Sequence, residues 1–201
     1  MLKLPKAVKE LAELLSNLPT LGPRQATRLA IHLSSKGKDF APNLSRALLS
    51  VGNIKECSLC FNLHEESGNI CGICSDKNRD SSTIMVLEKE TDLMSMENAG
   101  VFGGTYFLLG LVPKTGILEI EQKQRLESLK ERLSNLPGNR AKEIILAFNA
   151  TPHGEFAAEL FARELKDLSS KFSRLGRGLP TGGEIEFADA DTLAGSLDRR
   201  K

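Results

Sequence analysis

The sequence predicts an α+β chain of several modules, in which a helical segment and a cysteine-rich segment precede an α/β domain with a mostly parallel sheet. Three observations support this. Apolar residues recur at helical spacing near the N-terminus, four cysteines lie close together, and strands alternate with helices from residue 82 onward. With 201 residues, 40% of them apolar, the chain can bury a core. We expect four parts, at residues 1–52, 53–80, 81–175 and 176–201.

The first part, residues 1–52, is predicted to contain three helices, because its apolar residues recur every three or four positions. The residues that mark the helices are Val8, Leu11, Leu15 and Leu18, then Ala26, Leu29, Ala30 and Leu33, and finally Leu44, Ala47, Leu48 and Val51.

The charge of the chain is unevenly divided. Residues 1–56 carry nine Lys or Arg and four Asp or Glu, a balance of +5. Residues 57–201 carry 18 and 22, a balance of −4, and the two sum to +1. A basic segment indicates an anionic partner, with nucleic acid as the leading candidate. Charge alone leaves a solvated basic helix surface as an equal alternative.

A turn between the first two predicted helices carries the features of a phosphate contact. Gly22 permits a tight turn, and Pro23 suits the first position of the next helix, whose free N–H groups can face a phosphate. Arg24 and Arg28 are four residues apart, so both project from one helix face. The segment resembles a helix-hairpin-helix, a binder of the nucleic-acid backbone, with Thr20 where that motif usually has glycine. An ordinary helical hairpin is the alternative.

Four cysteines form two Cys-x-x-Cys pairs, Cys57 with Cys60 and Cys71 with Cys74, separated by ten residues. This spacing lets four thiolates converge on one zinc ion, so we predict one structural Zn²⁺ per chain. Four cysteines complete the site without His64 and leave no position for a catalytic water. Two redox dithiols or two disulfides are the alternatives, and a cytoplasmic chain disfavours disulfides.

The third part, residues 81–175, is predicted to be the α/β domain. Because ligand groups of parallel sheets gather at the carboxyl ends of strands, Glu88 and Asn149 are expected near one crevice. The predicted strands are Thr83–Leu87, Thr105–Leu109, Glu143–Phe148 and Lys171–Leu175, and the predicted helices are Asp92–Ala99, Glu121–Leu136 and Gly154–Leu168.

This pattern resembles a Toprim domain, a fold shared by primases, topoisomerases and nucleases that hold magnesium with a glutamate and an Asp-x-Asp pair. Here the Asp-x-Asp positions are Asn149 and Thr151, both neutral, and Glu155 could compensate only in part. Since a hard divalent ion needs several anionic oxygens, we do not expect catalytic metal chemistry at this site. The lone Tyr106 is expected in the core rather than as a nucleophile. A magnesium-dependent nuclease or primase-like enzyme is the rival hypothesis.

The last part, residues 176–201, combines a Gly-rich loop at Gly176–Gly183 with an acidic stretch that ends near Asp189. The acidic pattern is similar to a Walker B element, but no phosphate-binding Gly-x-x-x-x-Gly-Lys loop occurs in the sequence. We therefore predict a connection into a short terminal helix that serves packing or subunit contact.

Four segments in this order resemble the bacterial RecR family of recombination mediators: Leu18–His32, Cys57–Cys74, Asn149–Glu155 and Arg177–Asp189. The resemblance implies a non-catalytic DNA-repair protein that forms ring-like tetramers. With the partners RecO and RecF, such a protein helps to load RecA onto single-stranded DNA at gaps. It also implies that Arg24 and Arg28 contact DNA and that an acidic surface with Glu88, Asp92 and Glu155 binds partners.

The sequence also indicates where the protein works. No apolar run approaches the roughly 20 residues of a membrane-spanning helix, and Met1–Lys9 lacks the pattern of a secretory signal. We therefore expect a cytoplasmic protein that associates with the bacterial nucleoid.

Overall fold

The computed structural model describes residues 4–115 and 117–200, and the chain divides into two compact units, Met1–Ile54 and Lys55–Lys201. Within the described ranges, no helix is long and apolar enough to cross a membrane.

The first unit consists of three helices, α1 (Lys6–Ser16), α2 (Pro23–Ser34) and α3 (Phe40–Val51). Small buried residues, Ala12 on α1 with Ala26 and Ala30 on α2, let the first two helices approach closely. The third helix begins ahead of the apolar repeat that predicted it, because Pro42 lies in the first turn, where its missing N–H needs no partner. None of the described residues of α3 is buried within this unit.

The second unit begins with a small cysteine-rich module and continues into a sheet. The module contains an antiparallel hairpin, β1 (Lys55–Glu56) with β2 (Leu63–His64), and one helical turn, α4 (Gly72–Ser75). The sheet has the strand order β4-β3-β5-β6 and all its pairings are parallel, as the sequence predicted. Its strands are β3 (Asp80–Leu87), β4 (Gly104–Leu108), β5 (Glu143–Leu146) and β6 (Phe172–Arg174), and the helices are α5 (Glu90–Ala99), α6 (Ile120–Ser134), α7 (Pro152–Glu164) and α8 (Ala190–Asp198).

Helices cover both faces of the sheet, which explains why the central strand β3 ends in a continuous apolar run, Ile84–Leu87. Its residues alternate between two core clusters. Ile84 and Val86 join the cluster that α6 and α7 cover, whereas Met85 and Leu87 join the cluster that contains Leu93 of α5. The carboxyl ends of these buried strands therefore lie in fixed positions at one edge of the sheet.

Capping residues and prolines determine where the helices begin and end, which the spacing of apolar residues does not define to the residue. Helix α5 ends at Ala99, the predicted last residue, and is followed by Gly100, whose φ of +63° is left-handed. Helix α7 starts at Pro152, two residues before the predicted start, because Thr151 caps it and proline suits the first helical position. Strand β5 ends at Leu146 rather than at Phe148, so residues 147–151 are free to form the crevice described below.

Candidate nucleic-acid interface and metal centre

The turn between α1 and α2 leaves the first residues of α2 exposed. Gly22 is extended (φ −73°, ψ 162°) and is the residue before the first helical position, which Pro23 occupies. Thr20 has a φ of +68°, in the left-handed region that favours glycine. A β-branched residue thus occupies a backbone conformation that is strained for any residue but glycine.

Arg24 and Arg28 both lie on the exposed side of α2, while Ala26 and Ala30 on the same helix are fully buried. The first turn of α2 contains no acidic residue that would neutralise these arginines locally. Two exposed guanidinium groups one turn apart, next to a helix N-terminus, suit contact with successive phosphates of a nucleic-acid backbone. Such contacts would give affinity without reading base sequence.

The four cysteines come together as the spacing predicted. Their sulfur atoms all lie within 4.8 Å of one another, and three of the four residues are buried. Cys60 Sγ lies 3.6 Å from Cys71 Sγ. Four sulfurs on a tetrahedron about a Zn²⁺ ion, each at about 2.3 Å, would be separated by about 3.8 Å, so the donor set fits a tetrahedral thiolate site.

Backbone groups around the cysteines support negatively charged sulfur. The backbone N–H of Cys71 donates to Cys57 Sγ at 3.3 Å. Hydrogen bonding with Cys71 and Cys74, together with burial, raises the pKa of Cys60, while the contact with Cys60 lowers the pKa of Cys71. A cation that displaced the remaining protons would relieve this conflict, because metal binding requires thiolates. Across the described ranges, this is the only group of three or more His, Cys, Asp or Glu residues placed to hold a metal ion.

Two arginines of α6 join the cysteine module to the sheet. Arg132 donates to the carbonyls of Leu59 (3.0 Å) and Tyr106 (2.9 Å) and to Thr105 Oγ1 (2.7 Å). Arg125 donates to the Leu108 carbonyl and to Glu56, and its guanidinium lies 4.7 Å from the centre of the Phe61 ring. Charged donors from α6 therefore hold the cysteine module against the sheet.

The predicted crevice is present where β3 and β5 end. A cavity of about 350 Å³ opens there, and Asp92, Asn149, Glu155, Arg174 and Arg177 are among its lining residues. Sequence reasoning did not place the two arginines in the crevice, although Arg174 ends the last strand, β6, and Arg177 follows it, so both lie at the same edge of the sheet. Both form ion pairs with Glu155.

Glu88 lies beside this crevice but does not face solvent. Its side chain is buried, with the residue only 4% exposed, and its carboxylate accepts hydrogen bonds from the backbone N–H of Asn149 (3.2 Å), from the Asn149 side-chain amide and from the Val112 N–H (3.4 Å). The expectation that Glu88 belongs to an exposed acidic surface is therefore corrected. The Glu88 carboxylate is instead satisfied inside the protein by hydrogen bonds from Asn149.

The other departures from the magnesium-binding pattern also have structural roles. Thr151 Oγ1 accepts a hydrogen bond from the Gly154 N–H (3.1 Å) and so caps α7. Gly154 is needed because a Cβ there would lie 2.1 Å from the Asn149 carbonyl oxygen. With two neutral residues engaged and Glu155 paired to two arginines, the donor set does not fit a hard divalent cation.

The remaining candidate groups do not form a catalytic arrangement in the described residues. Tyr106 is fully buried, as predicted, and its hydroxyl donates to Glu97 Oε1 at 2.6 Å. Burial and this bond raise the pKa of Tyr106. His32 and His153 are exposed on α2 and α7, and His64 is buried outside the cysteine cluster.

Comparison with known proteins gives matches along most of the chain. Family models match at residues 8–51 (RecR, helix-hairpin-helix), 82–176 (Toprim domain) and 178–201 (RecR, C-terminal). Proteins named Recombination protein RecR are similar over nearly their whole length. That of Thermus thermophilus is 38% identical, covering 100% of this chain and 99% of the relative. Those of Desulforudis audaxviator and Lacticaseibacillus casei are 37% and 36% identical, each covering 98% of this chain and 97% of the relative.

Proposed function

Because the chain belongs to the RecR family of recombination proteins, we propose that it is a DNA-binding mediator of recombinational repair that has no catalytic activity of its own. In this proposal it acts with RecO and RecF to help load RecA onto single-stranded DNA at gaps. It works in the bacterial cytoplasm, at the nucleoid, and it binds DNA as a ring-shaped oligomer, a tetramer.

The observation that carries the proposal is the pair of exposed arginines on α2. Arg24 and Arg28 follow the Gly22–Pro23 turn four residues apart, so two cations project from one face of α2 close to the free N–H groups at its start. Residues 1–54 carry eight Lys or Arg against three Asp or Glu, which strengthens the attraction to a polyanion. We assign the DNA contact to Arg24 and Arg28.

We assign a structural role to the cysteine centre. Cys57, Cys60, Cys71 and Cys74 would hold one Zn²⁺ per chain, and four protein ligands leave no open position for a reacting water. The ion would stabilise a module whose two strands span only two residues each, too short to fold on apolar packing alone.

We assign partner binding to the crevice at the carboxyl ends of β3 and β5. Asp92 and Glu155 line this crevice and are partly exposed, so they can meet a partner protein. Glu88 contributes indirectly to this surface, because its buried carboxylate accepts hydrogen bonds from Asn149, which lines the crevice. The absence of a suitable magnesium donor set argues for recruitment of partners rather than DNA cleavage at this crevice.

The DNA contact can be tested by fluorescence anisotropy on a gapped duplex at about 50 and 200 mM salt. We expect the affinity of the unmodified chain to fall steeply with salt, and the Arg24→Ala/Arg28→Ala variant to bind at least about tenfold more weakly at the lower salt. Its salt slope should be smaller by about two for each chain that contacts DNA, since each lost phosphate contact removes about one.

A matched control removes the same charge elsewhere. Arg163 and Lys166 are exposed at the end of α7 and just beyond it in the second unit, and Arg163→Ala/Lys166→Ala should leave the affinity within about twofold. Equal binding by the α2 variant and the unmodified chain would contradict the assignment. Cleavage of labelled DNA with magnesium, abolished by Glu88→Gln, would contradict the non-catalytic role.

A further inference from the structure

We propose that Glu66 is a positioning residue of the metal centre: its carboxylate caps the helical turn between Cys71 and Cys74 and so holds the second cysteine pair in ligand geometry. The inference rests on the metal site assigned above, and it concerns a residue outside the four cysteines. It adds to that site a support that the cysteine spacing alone does not reveal.

The helical turn that contains the second cysteine pair starts without a capping side chain at its N-cap residue. Cys71 is the residue before the first position of α4 (Gly72–Ser75), and its side chain makes no capping hydrogen bond among the described contacts. A capping side chain reaches the N–H groups of the second and third helical positions, not that of the first. The N–H of Gly72, at the first position of α4, therefore needs an acceptor from elsewhere in the chain.

Glu66 supplies that acceptor. The Gly72 N–H donates to Glu66 Oε1 at 2.9 Å, across a separation of six residues. Backbone N–H groups, that of Gly72 among them, lower the pKa of Glu66, which keeps it ionised at neutral pH. Gly72 also leaves room for the carboxylate, because a Cβ at this position would lie 3.0 Å from Oε1.

The other carboxylate oxygen of Glu66 lies against a buried side chain. His64 Nδ1 lies 2.7 Å from Glu66 Oε2, a short contact that is not aligned as a hydrogen bond. The His64 side chain is almost fully buried and has little freedom to move away. Lys55 Nζ donates to the carbonyl oxygen of Ser67 at 3.1 Å, which fixes the backbone next to Glu66. The loop between the two cysteine pairs is thus anchored directly next to the capping group.

If Glu66 keeps the cysteine ligands in place, its removal should lower the affinity of the site for the metal ion. Groups that orient metal ligands without touching the metal typically contribute about 10- to 100-fold to the affinity. Without the cap, the start of α4 would fray, and Cys71 and Cys74 would no longer be presented at a fixed separation. Glu65, the exposed neighbour of Glu66, makes no such contact in the described part of the chain and provides a control of equal charge.

The test is a chelator competition with Zn²⁺, together with the absorption spectrum of the Co²⁺-substituted full-length chain. We expect Glu66→Ala to weaken Zn²⁺ binding by about tenfold or more and to speed its transfer to the chelator. Glu66→Gln keeps an acceptor oxygen at the same distance and should recover most of the affinity. Glu65→Ala should behave like the unmodified chain, and all variants should show tetrahedral Co²⁺ bands when saturated.

Equal Zn²⁺ affinity in Glu66→Ala and Glu65→Ala would overturn the inference while leaving the metal site intact. An affinity loss in Glu66→Gln as large as that in Glu66→Ala would also overturn it, because the cap requires only an acceptor. An unmodified chain that binds neither ion would overturn both this inference and the proposed zinc centre.

Discussion

Thr20 occupies a backbone position that ordinarily requires glycine. Its φ of +68° costs a non-glycine residue about 1–2 kcal/mol, and the β-branched side chain makes the conformation rarer still. Glycine would relieve this strain but would cost about 0.5–1 kcal/mol through the greater freedom of the unfolded chain. We predict that Thr20→Gly raises the free energy of unfolding by about 0.5–1 kcal/mol, measured by urea denaturation with far-UV circular dichroism.

The control for this prediction is Thr20→Val, which keeps the β-branched shape at an exposed position. It should leave the free energy of unfolding within about 0.5 kcal/mol of the unmodified chain. Destabilisation by the glycine variant would mean that the left-handed conformation at residue 20 stores no strain.

Asn149 is the residue at which this chain departs most consequentially from a metal-binding Toprim site. Its amide donates to the buried carboxylate of Glu88, so Asn149→Asp would replace a donor with a second negative charge. We predict a loss of about 1–3 kcal/mol in the free energy of unfolding at neutral pH. Because the folded state would raise the pKa of the carboxylate pair, the loss should grow with rising pH and shrink on acidification.

Thermal unfolding at pH 5 and pH 8 checks this prediction, with Asn149→Ala as the comparison. The alanine variant loses the donor without adding charge, so its stability loss should grow less between pH 5 and pH 8 than that of Asn149→Asp. An Asn149→Asp variant as stable as the unmodified chain at both would contradict the role given to Glu88.

At the scale of elements, the pattern of apolar residues predicted the helices of the first unit and the parallel sheet of the second, because burial on both faces of β3 leaves a continuous apolar run. The converging cysteines were predictable because ligand spacing is a local property. The pairing of Glu155 with Arg174 and Arg177 and the capping of α4 by Glu66 were not. Both contacts join segments that come together only in the folded chain, and the spacing of residues along the sequence does not indicate which segments these are.

The attachment of the cysteine module through α6 is a further contact of this kind. Arg132→Ala would leave three acceptors, on Leu59, Thr105 and Tyr106, without their charged donor. We predict that the free energy of unfolding falls by about 2–3 kcal/mol in chemical denaturation. Arg132→Lys keeps the charge but cannot reach all three acceptors with one planar fork, so it should restore only part of the loss.

If Arg132→Ala unfolded at the same denaturant concentration as the unmodified chain, the three hydrogen bonds would not hold the module to the sheet. Full recovery by lysine would show that charge alone matters at this position.

At the scale of the whole molecule, the charge of +5 in residues 1–54 lies in one unit and the acidic balance in the other. Two phosphate contacts on one chain bind DNA weakly, and salt weakens them further. Several copies of α2 in one ring would bind far more tightly, because each added contact becomes intramolecular. This account links the exposed arginines to the proposed clamp and leaves the crevice of the second unit for partners.

The most direct test of the mediator function is the rate of RecA assembly on gapped DNA coated with single-strand-binding protein, with RecO and RecF present. The account predicts that the unmodified chain and the Arg163→Ala/Lys166→Ala control accelerate assembly, while Arg24→Ala/Arg28→Ala does not. Acceleration by the α2 variant equal to that of the unmodified chain would contradict the central claim that this helix brings the mediator to DNA.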